Sequence, residues 1–218
     1  MTRVRVDLNI SLDGYASTVG DGPHDPFGED WARLTAAYVG TRTFRERVLG
    51  KADGSGTTGV DDNYAAQYFE GVGAEVMGAG MFGLTDHRDD PDWRGWWGDT
   101  PPFGFTVYVL THSEREPLEF ANGTRFEFLN ASPEEALLLA RESAGGADVR
   151  IGGGPTTVRH YLRAGLVDSL HVAVVPVVLG RGINLWDDLR GLESGYRVTA
   201  ESADSGVTHF TFEREDGS

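Results

Sequence analysis

The chain has 218 residues, with 34 acidic and 19 basic side chains, 30 glycines, no cysteine and a formal charge of −15. That balance argues against nucleic acid or an anionic membrane as partner, because phosphate contacts need clustered Lys and Arg. The lack of cysteine excludes disulfides, thiolate nucleophiles and Cys-bound zinc. The apolar share is ordinary for a globular protein, so a packed core and one domain over residues 1–218 are expected.

Residues 3–13 alternate strictly, with Val4, Val6, Leu8, Ile10 and Leu12 on one face and Asp7, Asn9, Ser11 and Asp13 among those on the other, which predicts a strand. The start, Met1 to Val6, has no apolar block of the signal-peptide kind, and no apolar stretch is long enough for a membrane span, so a cytoplasmic protein is expected. Pro26 is expected to open a helix with Trp31, Leu34 and Tyr38 on one stripe. A second helix is expected from Asp62 through Tyr64 and Tyr68, with 50–61 before it a loop. Strands are expected at 74–78, 105–111 and 125–129, and 86–104 reads as a long loop holding Trp93, Trp96 and Trp97.

Ser132-Pro133-Glu134-Glu135 is a capping box with Pro at the first helical position. A strand at 148–152 runs into another helix that Pro155 opens and Gly165 closes. Strands follow at 168–179, 196–203 and 206–214, the last two joined by Asp204-Ser205-Gly206 as a hairpin. The continuous apolar run Val172 to Leu179 suits a strand buried on both faces. Strands alternating with helices, closed by an antiparallel hairpin, predict an α/β fold with a mixed central sheet flanked by helices.

The sharpest chemical signal is Ile151-Gly152-Gly153-Gly154-Pro155-Thr156, a strand passing through three glycines into a helix start. Glycines admit close backbone approach, and the free N–H groups of a helix start favour a phosphate. The competing reading is a tight strand-to-helix turn. Met77-Gly78-Ala79-Gly80 is a second such cluster, and Thr111-His112-Ser113 ends a third strand with two hydroxyls and an imidazole. Glycine turns at the ends of strands in one sheet suit an elongated dinucleotide.

Asn9, Ser11 and Asp13 form a polar row that would line a substrate pocket, with Asp13 the candidate proton donor or else a turn residue before Gly14. Trp97 would be a lid wall over a flat substrate ring, or part of an apolar patch on the body or a partner subunit. The histidines make no metal spacing and there is no Gly-x-Ser-x-Gly elbow, so neither a metal site nor serine hydrolysis is indicated.

Ser11-Leu12-Asp13-Gly14, Gly71-Val72-Gly73-Ala74 with Met77-Gly78, Val109-Leu110-Thr111-His112, Ile151-Gly152-Gly153-Gly154 and Leu166-Val167-Asp168-Ser169-Leu170-His171 leading to Pro176–Gly180 stand in an order that resembles the dihydrofolate-reductase-like family. Within it, the likeness is to the reductase domain of the bifunctional riboflavin-biosynthesis deaminase-reductase. The resemblance covers about residues 3–214. It implies that fold, and hydride transfer from NADPH, with NADH as the alternative, to a small heterocyclic or carbonyl/imine substrate. It also implies a homodimer. On it, Gly152, Gly153, Gly154, Pro155 and Thr156 would hold the pyrophosphate, Gly78 and Ala79 its other side, and Thr111, His112 and Ser113 the adenosine ribose and its phosphate. Asn9, Ser11 and Asp13 would face the nicotinamide and substrate. Many relatives carry Arg where this chain has Ala79, and none of Asp25, Glu29 and Asp30 aligns as the acid of a true dihydrofolate reductase. The alternative function is a non-catalytic dinucleotide- or metabolite-binding protein on the same fold.

Overall fold

The computed structural model describes residues 2–17 and 28–215. In chain order it contains β1 (Val4–Ser11), β2 (Tyr15–Ser17), α1 (Gly28–Val39), α2 (Arg42–Arg47) and α3 (Val60–Phe69). Then come β3 (Val72–Gly78), α4 (Ala79–Phe82), β4 (Thr106–Leu110), β5 (Leu118–Glu119), β6 (Arg125–Leu129) and α5 (Pro133–Ser143). The last part is β7 (Asp148–Gly153), α6 (Pro155–Arg163), β8 (Ser169–Val175), β9 (Ile183–Asn184), β10 (Tyr196–Ser202) and β11 (Thr208–Arg214). The nine-stranded central sheet has the order β10-β11-β8-β1-β7-β3-β4-β6-β5, and β2 pairs with β9 in a separate ribbon. The expected mixed sheet flanked by helices, with a closing antiparallel pair, is what forms. No helix among the described residues is long and apolar enough to cross a membrane.

The chain divides into two compact units, residues 1–6 with 71–168 and residues 7–70 with 169–218. In the first, β1, β7, β3, β4 and β6 run parallel, with Val6 opposite Ile151, Val76 opposite Ile151 and Met77 opposite Val109. Parallel strands need helical crossovers, and these bury both sheet faces. α5 forms on its capping box, with Ser132 accepting from the Glu135 N–H and Glu135 accepting from the Ser132 N–H. It buries Ala136, Leu137 and Ala140. α6 buries Val158, Tyr161 and Leu162. A second cluster joins Met77, Phe82, Val107, Val109 and Phe126.

In the second unit, β11 pairs antiparallel with β10 and β8, and the turn between β10 and β11 closes as the sequence predicts, with the Gly206 N–H donating to the Ala203 carbonyl. β8 is shorter than the apolar run that announces it. It ends at Val175 because Pro176 has no N–H for the ladder. Val178 is exposed, and the Val177 carbonyl accepts from the Leu12 N–H instead. α1 is described from Gly28, so its expected start at Pro26 lies outside the described residues. α2 and the β2–β9 ribbon were not predicted.

Candidate functional site

The first unit brings the three glycine- and hydroxyl-bearing segments side by side. β7, β3 and β4 are adjacent and parallel, with Met77 opposite Gly153 and Gly78 opposite Leu110. Gly152–Gly154, Gly78–Ala79 and Thr111–Ser113 therefore stand at the carboxyl ends of three neighbouring strands. In open α/β sheets this is where ligands bind.

Each glycine there has its own reason. Gly152 is buried, and a Cβ on it would overlap the carboxylate of Glu75. Gly153 has φ +125°, a conformation that side chains rarely adopt. A Cβ on Gly78 would overlap the Thr157 hydroxyl, so that glycine lets the first turn of α6 sit on the end of β3. Gly154 differs. Its φ of −73° suits any residue, and a Cβ there would meet nothing within 4 Å. The space beside Gly154 lies open at the start of α6.

That start has no side-chain cap, and Pro155 fills the first helical position. Helix geometry leaves the N–H groups of Thr156 and Thr157 without a carbonyl one turn earlier. Two donors, the positive end of a nine-residue helix and an open space thus converge, and they suit a phosphate. The Gly153–Gly154 peptide bond is cis. Thr111 and His112 follow β4, with the Thr111 Oγ1 accepting from the Ser113 N–H at 3.1 Å and His112 Nδ1 3.0 Å from Asn130 Oδ1. Arg115, the nearest cation in sequence, donates to the carbonyls of Asp90 (2.9 Å) and Trp93 (3.2 Å).

The buried pair behind the glycine turn escaped the sequence reading. Glu75 and Arg150 face each other across β3 and β7, both 1% exposed, with Arg150 Nε donating to Glu75 Oε2 at 2.7 Å. The available signal was a charge of each sign inside an apolar strand, Ala74-Glu75-Val76 and Val149-Arg150-Ile151. Trp97 stacks on Phe126 (centroids 5.7 Å apart) and meets Phe103 edge-on, so its ring packs against the first unit's core, as the apolar-patch alternative expects.

In the second unit, Ser11 is fully buried; its hydroxyl donates to Asp13 Oδ1 at 2.6 Å and accepts from the Tyr15 N–H at 2.9 Å. Its single hydrogen is spent on Asp13 and the residue has no exposed surface, so the hydroxyl has no donor left for a substrate. The Asp13 carboxylate also accepts from the N–H groups of Leu179 (3.1 Å) and Gly180 (2.7 Å). The Ser11 hydroxyl and then these backbone donors hold its pKa down at about 2. An acid with no proton at neutral pH cannot donate one, so the expectation for Asp13 is corrected: it is an anionic clamp joining the 11–14 turn to the loop after β8. Asp30, on α1, is likewise held ionised, by Arg181 and Arg33. Asn9 is half-buried on β1.

A sequence profile of the RibD C-terminal domain matches residues 2–205. The chain belongs to the RibD C-terminal domain family. This is a reductase-type family, in keeping with the resemblance seen in the motifs. A search of curated proteins finds no match. Among solved structures, a putative riboflavin biosynthesis protein from Shewanella sp. PV-4 is similar over 99% of both chains, with 20% identity and a TM-score of 0.61. Dihydrofolate reductase from Enterococcus faecalis, complexed with NADP(H) and RAB-propyl, is similar over 98% of this chain and 97% of its own, with 14% identity and a TM-score of 0.53. At these identities the likeness is one of fold.

Proposed function

We propose that this RibD C-terminal domain protein is a reductase that moves a hydride from NADPH, with NADH as the alternative, to a C=N or C=O group of a small, heterocyclic substrate. The observation that carries the reading is the open space at Gly154 before the uncapped start of α6, at the edge of three parallel strands. Family membership supports the reaction class, and the neighbour described with NADP(H) supports the cofactor class.

The bound nicotinamide would supply the hydride. This chain's residues would supply position. The N–H groups of Thr156 and Thr157 would bind a phosphate, and Gly154 leaves room for it. Gly78 and Ala79 end the neighbouring strand without a bulky side chain. Thr111, His112 and Ser113 would turn polar groups toward a ribose. Asn9, in the second unit, is the one member of the polar row whose side chain the turn does not consume. Asp13 is not assigned the proton; the proton that completes reduction of the C=N or C=O group would come from solvent water.

That ionised Asp13 favours a second reading, a protein that binds the dinucleotide without turning it over. One experiment separates them. NADPH is titrated into the protein by fluorescence, and its oxidation is then followed with a panel of small carbonyl and imine heterocycles. Binding with turnover of some acceptor is expected. Binding without turnover favours the second reading, and no binding overturns both. We also propose a homodimer. Leu138 and Leu139 on α5 are exposed apolar side chains that would suit a contact. Light scattering should give twice the single-chain mass; the single-chain mass alone would reject it.

A further inference from the structure

The second unit holds a chain of four ionisable side chains that the reductase reading does not use. Asp7 Oδ1 lies 3.2 Å from His171 Nδ1. His171 Nε2 lies 2.9 Å from His209 Nδ1, and His209 Nε2 lies 2.8 Å from Asp61 Oδ1. The four residues come from β1, β8, β11 and α3 in turn. Tyr64, one turn after Asp61 on α3, lies flat over both imidazoles, with centroids 4.3 Å from His171 and 4.2 Å from His209 and interplanar angles of 10° and 2°. His209 is 3% exposed.

The hydrogens in this chain can be counted. Three contacts join two carboxylates and two imidazoles, and each contact needs one hydrogen. Ionised carboxylates are acceptors only, and two neutral imidazoles carry one N–H each. Two hydrogens cannot serve three contacts. The complete chain therefore requires one extra proton on the imidazole pair. A carboxylate at each end and a tyrosine ring over both imidazole faces are the surroundings that stabilise such a cation. Glu201, opposite His209 on β10 and 3.5 Å from the Tyr64 hydroxyl, adds a further negative charge. Asp62, the remaining acid of that turn of α3, accepts from the Thr43 N–H.

We propose that this chain is a proton-operated latch, which fully docks helix α3 on β8 and β11 only while the two imidazoles share one extra proton. Above the window the proton is lost, and one of the three contacts is left as two facing lone pairs. Below it both rings are protonated, and the two facing nitrogens of His171 and His209 each carry hydrogen. Burial pushes the His209 pKa down, so His209 is held neutral and donates from Nε2 to Asp61. The same shift means that unfolding takes up a proton at His209 below about pH 6.5, so the acid side of the window weakens α3. The latch controls the position of α3 and stands apart from the nucleotide-binding reading.

The test is hydrogen exchange of the α3 amides in the full chain from pH 5 to 9, corrected for the intrinsic exchange rate. Protection is expected to peak inside that range and to fall roughly tenfold on each side, the size expected for losing one hydrogen bond to a charged group. His209→Gln keeps one acceptor for His171 and one donor for Asp61 but cannot titrate. It should abolish the fall on the acid side and keep the alkaline one. Imidazole nitrogen NMR shifts of the wild-type chain supply a readout that needs no variant: within the window, one ring of the pair should carry two hydrogens and the other one. A protection profile flat with pH, a profile unchanged in His209→Gln, or two singly protonated rings throughout the range would overturn the proposal.

Discussion

The Glu75 carboxylate occupies the place that a side chain on Gly152 would take. It is held there by Arg150 on the neighbouring strand, and both members of the pair are fully buried. The glycine turn at the end of β7 therefore rests on a desolvated ion pair. Such pairs add little net stability when complete and cost much when one partner is removed.

Two variants follow from this. Gly152→Ala forces the carboxylate away from Arg150 and should lower stability by about 1–3 kcal/mol, in the range of overpacked cores. Glu75→Ala removes the anion facing a buried guanidinium and should cost about 3–5 kcal/mol. Denaturant melts of both variants measure this. A Gly152→Ala protein as stable as wild type would mean that the turn has slack the structure does not show.

Gly154 is the position at which ligand binding and folding come apart. Gly152 and Gly153 are needed by packing and by backbone conformation, so substituting either confounds the two. Gly154→Ala adds a methyl group to open space at an ordinary φ. Its melting temperature should stay within about 2 °C of wild type, in keeping with a stability change of a few tenths of a kcal/mol. NADPH affinity should fall by about tenfold as close backbone approach is lost. Unchanged affinity in a folded variant would remove the start of α6 from the binding site.

Cofactor choice follows from where the cations are. Ala79 offers no charge, and Arg115 is turned to the carbonyls of Asp90 and Trp93. Thr111, His112 and Ser113 remain, flanked by Glu114 and Glu116. One charge-assisted contact is worth about 1.5–3 kcal/mol, so the ratio of NADH to NADPH dissociation constants should not exceed about a hundred. A ratio of many thousands would require a basic anchor outside these residues.

What could be read from sequence was local. The capping box at Ser132 and Glu135, the turn at 203–206 and the glycines before Pro155 each act within a few residues, and each forms as expected. What could not be read depends on partners distant in the chain. Asp13 looks like a free acid until Leu179 and Gly180, 166 and 167 positions away, bring their N–H groups to it. Ser11 reads as available until the fold buries it and turns its hydrogen to Asp13. The apolar run 172–179 suggests one long strand, but its second half is diverted to hold the 11–14 turn. Glu75 with Arg150, and Asp7, His171, His209 and Asp61, are matched only once strand order is known.

Asp13 gives the last prediction, and its sign is set by the clamp. A proton donor would need a raised pKa; this carboxyl is held at about 2 by the Ser11 hydroxyl and the backbone donors around it. Its folded value lies below the ordinary one of 3.8, so the unfolded chain binds a proton more readily than the folded one. The stabilising contribution is complete above about pH 4 and is lost as pH falls from there through 2. Asn in its place keeps one acceptor oxygen but loses the charge and the second oxygen, so one backbone N–H goes without its partner. Asp13→Asn should therefore melt at a lower temperature at pH 7, and the gap from wild type should narrow as both are acidified toward pH 2. Cofactor oxidation per folded molecule should remain close to wild type with any acceptor the panel yields. Full stability at pH 7 with turnover reduced about a hundredfold, the scale of a lost general acid, would return Asp13 to the chemistry.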